Sequence, residues 1–71
     1  MTAPGGFDRY AVIYEFVYIG GSVKVTAIDP SSFKEVSIVG SPQVSESELK
    51  RLALRKLEYV LNKASSAGPK A

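Results

Sequence analysis

The stretch YAVIYEFVYIGGSVKVTAID, Tyr10 to Asp29, decides the fold. Its first half, Tyr10 to Ile19, is built of β-branched and aromatic residues with Glu15 as its one charge, the composition of a strand. Gly20 and Gly21 then supply residues suited to the positive φ of a two-residue hairpin turn. Ser22 to Asp29 returns as a second strand in which apolar and polar residues alternate. If the turn is two residues long, Ile19 faces Ser22, which sets Tyr18 opposite Val23, Phe16 opposite Val25 and Tyr14 opposite Ala27.

Working outward, Asp29-Pro30-Ser31-Ser32-Phe33-Lys34 meets the needs of a second turn, because Asp bonds forward to backbone N–H groups and Pro presets φ. Closing that hairpin between Asp29 and Lys34 puts Ala27 opposite Val36 and Val25 opposite Ile38. The third strand therefore agrees in register with the first hairpin. Beyond Gly40, SESELKRLALRKLEYVLNK (Ser45 to Lys63) reads as a helix. Ser45 with Glu48 forms a capping box, and Val44 with Leu49 a hydrophobic staple. Leu49, Ala53, Leu57, Val60 and Ala64 recur at helical spacing, widened by Leu52 and Leu61. The expected fold is α+β, a three-stranded antiparallel β-meander packed against one C-terminal α-helix, in the order β-β-β-α.

With 71 residues there is room for one domain. MTAPGG and ASSAGPKA are small, Gly- and Pro-containing ends, so the reading is a disordered N-terminus over 1–7, a single domain over 8–63 and a disordered tail over 64–71. Scaffolds this small usually need disulfides, a metal or a second subunit. The chain contains no Cys and no His, which leaves oligomerisation. A net charge of +2 makes only a slight bias toward polyanions. The N-terminus lacks the basic start and apolar run of a signal peptide, and no apolar stretch has the length of a bilayer span. The expectation is a soluble cytoplasmic protein that does not engage a membrane.

Strand parity assigns one sheet face to Val12, Tyr14, Phe16, Tyr18, Val23, Val25, Ala27, Val36 and Ile38, the natural seat for the helix stripe. The other face holds Ile13, Val17, Ile19, Ile28 and Val39 among Glu15, Lys24, Thr26, Glu35 and Ser37. That face is too apolar for ordinary solvent exposure and too charged for a monomer core. The first strand is also an edge with one charge to deter pairing. Ile13, Val17, Ile19, Ile28 and Val39 are therefore the candidate self-association surface of a homodimer, through either the outer face or the edge strand.

The run YEFVYIGGSVKVTAIDPSSFKEVSIVG followed by ELKRLALRKLEYVLNK resembles a small uncharacterised family of short alphaproteobacterial proteins, a domain of unknown function, over Tyr14 to Lys63. VKVTAID, EVSIVG and KLEYVL are its most distinctive pieces. Such turns more often carry Gly where this chain has Phe33; a left-handed conformation is costly for Phe, which implies another turn type here. The resemblance implies no catalytic or ligand residues.

Nucleophilic catalysis by Ser or Cys needs a base, normally His, and zinc or transition-metal sites need His or Cys. The carboxylates show neither acid/base spacing nor an EF-hand pattern. The reading is a non-enzymatic interaction module with no cofactor and no metal. Phe33 is expected to fold back over the sheet edge or helix end, with an exposed partner contact as the sharper hypothesis. The competing function is weak nucleic-acid binding through the helix surface, where Arg51 and Arg55, one turn apart, would repel unless an anion lies between them. A second version of that reading makes Tyr14, Phe16 and Tyr18 a stacking platform, whereas their wholly uncharged face favours a core role.

Overall fold

The computed structural model describes residues 7–65. A single 3-10 turn, Arg9–Ala11, leads into β1 (Ile13–Ile19), β2 (Ser22–Ile28), β3 (Glu35–Gly40) and α1 (Glu46–Ser65). The strands form one antiparallel sheet in the order β1-β2-β3. The order of elements is β-β-β-α, as the sequence implies. Both hairpin registers match the expected ones: Tyr18 opposes Val23, Phe16 opposes Val25, and Ala27 opposes Val36.

The first strand starts later than its composition suggests. Asp8 accepts the Tyr10 N–H at 2.9 Å, and its carbonyl accepts the Ala11 N–H, so residues 9–11 curl before the chain extends. The β1–β2 turn has positive φ at Gly20 alone, the pattern of a type II′ turn, which matches the right-handed twist of the flanking strands.

The core consists of Val23, Val25 and Ala27 from β2, Val36 from β3, and Leu49, Ala53, Leu57 and Leu61 from α1. The helix face is the expected one, although Leu52 is exposed and the side chain of Ala64 lies outside the described residues. The seat on the sheet is narrower than parity implies. α1 lies over β2 and β3 and makes little contact with β1. The short Ser41–Ser45 connection delivers the helix from β3, so it settles over that strand and its neighbour. Val12, Tyr14 and Phe16 are only partly buried at the margin, and Tyr18 is exposed.

Ser45 caps α1 by accepting the Glu48 N–H at 3.2 Å. Gly40 meets the first turn closely: a Cβ there would stand 2.7 Å from Leu49 Cδ2. The expectation of disordered ends falls on residues 1–6 and 66–71, which lie outside the described residues, and partly on described ones. Of these, Phe7 packs against the core, and α1 runs on through Ser65.

Candidate interaction surfaces

Not one residue of β1 is buried. On the outer face Ile13, Val17, Ile19 and Val39 are exposed, Ile19 by 65% and Val39 by 70%, while Ile28 is half-buried. The structure brings these five candidates to one face but divides them. Ile13 and Ile28 pair at one end, Val17 and Val39 flank Lys24 near the other, and the row Glu15–Thr26–Ser37 lies between. Thr26 is buried and its hydroxyl meets that of Ser37 at 3.0 Å, so the polar row is internally satisfied.

The backbone of β1 has a definite polarity. The Asp29 N–H donates to the Lys34 carbonyl at 2.9 Å, in register with the β2–β3 pairing. Hydrogen-bonded and non-bonded positions alternate along an antiparallel strand, so Val23, Val25 and Ala27 turn their backbone groups to β3 while Lys24, Thr26 and Ile28 turn theirs to β1. Their β1 partners are Val17, Glu15 and Ile13. The backbone groups of Tyr14, Phe16 and Tyr18 therefore point off the sheet edge. On β3 the same logic turns Ser37 outward, and the Lys56 ammonium donates to its carbonyl at 2.9 Å.

The β2–β3 loop is held by buried Asp29, whose carboxylate accepts the Ser31 N–H at 3.2 Å and the Ser32 hydroxyl at 2.7 Å. Its carbonyl accepts the Phe33 N–H at 2.8 Å. That geometry forces Phe33 to φ 63, the left-handed conformation the sequence argues against. A side chain in this region is strained, and the strain is sustained because Asp29 and Lys34 close the loop on both sides of it. The Phe33 ring does not fold back: it is 82% exposed.

On α1, Arg51 and Arg55 do not form a free cationic pair. The Arg51 guanidinium grips Glu48 through two contacts of 2.6 and 2.8 Å, which raises its already high pKa, while Arg55 stands exposed. Glu48 is thereby engaged away from the Ser45 backbone, and the i, i+3 spacing of Glu48 and Arg51 is a signal the sequence carries openly. Lys50 lies 5.1 Å from the centre of the Tyr14 ring and Lys63 5.7 Å from that of Tyr59. At the margin of β1, Arg9 approaches Glu58 at 3.7 Å. Tyr14 titrates above its ordinary range, chiefly because burial disfavours the phenolate, with Glu58 adding and Arg9 opposing.

Among the described residues, no three acidic side chains converge in a way that could hold a metal ion, and no helix is long and apolar enough to cross a membrane. A family model described as "Domain of unknown function (DUF6898)" matches residues 9–64. No curated protein and no solved structure matches the chain.

Proposed function

The chain belongs to the DUF6898 family, a domain of unknown function, and from that premise we propose that it is a non-enzymatic interaction module that self-associates through the outer sheet face or the edge strand β1. The observation that carries this reading is the state of β1: seven residues, all but Glu15 aliphatic or aromatic, and none buried. A sequence so rich in strand-forming apolar residues would be an aggregation liability if its edge and outer face stayed wet. A second copy supplies the missing cover. Burying about 300 Å² of apolar surface contributes several kcal/mol at roughly 25 cal/mol per Å², before association entropy is subtracted.

Nucleic-acid binding through α1 has less support, since Lys50, Arg51, Lys56 and Lys63 each have a partner within the molecule. Sedimentation or light scattering tests the proposal: a dimer at micromolar concentration, little affected by salt and weakened by Val17→Glu, is expected. Salt-sensitive retention on heparin by a persistent monomer would transfer the case to nucleic acid.

A further inference from the structure

We infer that two copies join edge to edge, pairing β1 with β1 antiparallel about a two-fold axis at Phe16 to make one continuous six-stranded sheet. The inference rests on the self-association proposed above and specifies its geometry. The backbone groups of Tyr14, Phe16 and Tyr18, turned off the sheet edge, are what a second β1 can bond.

First, the register is nearly determined. The outward groups must meet one another, so Phe16 pairs with Phe16 of the partner, and Tyr14 pairs with Tyr18 of the partner, each pair exchanging two N–H···O bonds. This alignment keeps every residue of Ile13–Ile19 opposite a residue of the other strand. Centring the axis on Glu15 would set two like carboxylates face to face, which is destabilising for a directly opposed pair. Centring it on Val17 would leave Ile13 and Tyr14 beyond the end of the partner strand.

Second, the outer face becomes complementary in charge and in its apolar pairs. Ile13 stands opposite Ile19 of the partner, joining the apolar ends that the Glu15–Thr26–Ser37 row separates within one copy. Glu15 stands opposite Val17 of the partner, whose neighbour on β2 is Lys24. Glu15 and that Lys24 therefore share a cross-sheet row about 10 Å apart between Cα atoms, two strand spacings, within reach of two long side chains across a Val. The two-fold repeats the pairing, so both Glu15 carboxylates gain a cation. The β3 edge offers a poorer match because Lys56 already occupies the Ser37 carbonyl.

Edge pairing also leaves α1 of both copies on the same side of the sheet, whereas face-to-face packing puts them on opposite sides. Each α1 lies over β2 and β3, so the helix axes of the edge-paired dimer are about 20 Å apart, roughly four strand spacings. Lys56 reaches Ser37, in the row beside Phe16, so the middle of α1 lies level with the axis and distances measured there stay short. In a face-to-face dimer the same points are at least about 30 Å apart, one intersheet gap plus a helix layer on each side.

The chain has no Cys, so Arg55→Cys carries a single spin label on the exposed side of α1. Pulsed electron resonance should read about 20 Å between labels. Amide exchange at Tyr14, Phe16 and Tyr18 should slow with rising concentration, by about twentyfold when the free chain is at ten times Kd. A dimer that reads beyond about 30 Å, with those amides still exchanging freely, overturns the edge pairing and leaves self-association standing. A chain that sediments as a monomer at every concentration overturns both.

Discussion

The Tyr18 hydroxyl donates a hydrogen bond to Glu46 across 2.7 Å, tying the end of β1 to the first turn of α1. α1 otherwise leans away from β1, so this bond spans the gap on that side of the domain. Losing the phenolic proton turns it into a repulsion between two anions, and this holds the Tyr18 pKa above its ordinary 10.0. Tyr14 is raised as well, mainly by burial.

Alkaline stability follows from those two phenols. Their folded pKa values exceed the unfolded value near 10.0, so their contribution is fully present below that pH and is lost as the pH rises through the folded values. Urea midpoints should therefore decline above about pH 10, and the decline should be shallower in the double variant Tyr14→Phe, Tyr18→Phe. An identical decline in both proteins would locate the alkaline transition elsewhere.

Ser45→Ala should cost about 0.5–2 kcal/mol, because the Glu48 N–H loses its acceptor. The lower half of that range is expected, since the Glu48 carboxylate is held by Arg51 rather than by the Ser45 backbone. Thermal unfolding measures the loss. An unchanged transition would mean that water replaces the cap without cost.

Leu57 is fully buried while Phe16 is only partly so. Leu57→Ala should therefore cost about 2–5 kcal/mol and unfold much of the population, with Phe16→Ala the milder of the two despite the larger side chain removed. Chemical denaturation of both variants at one concentration below dimerisation decides the ranking. The reverse order would place the centre of the core under β1.

Phe33→Gly should stabilise the monomer. Releasing a left-handed Phe recovers about 1–2 kcal/mol, against about 0.5–1 kcal/mol for the extra freedom Gly has when unfolded. The exposed ring has little burial to lose. The urea midpoint should rise slightly with the dimerisation constant unchanged; a fall would reveal packing by the ring.

Much of this architecture is legible in the residues because hairpin turns fix register. Gly20-Gly21 and Asp29-Pro30 each set a pairing, and the two agree on which residues of β2 face the core. Helical spacing identifies the buried face of α1 but not where on the sheet that face comes to rest. The partial cover over Phe16 depends on the path of Ser41–Ser45, which periodicity does not encode. The Phe33 conformation is hidden for a related reason: local preference disfavours it, and the bonds around Asp29 override that preference. The outer patch was identified by parity alone, whereas its division by the Glu15–Thr26–Ser37 row needs the strands laid side by side. Glu48 and Arg51 are readable as an i, i+3 pair, and that pair competes with the capping box for the Glu48 carboxylate.

Strands in a sheet are indexed to one another by their hydrogen bonds, but a helix lying on a sheet has no such ladder and is free to slide. At Gly40 that freedom is removed, because Leu49 drops into the space where any other residue would put a Cβ. The contact indexes the first turn of α1 to the end of β3. Gly40→Ala would force the buried end of the Leu49 side chain to give way. One absent methyl group thus makes room for the first core residue of a twenty-residue helix.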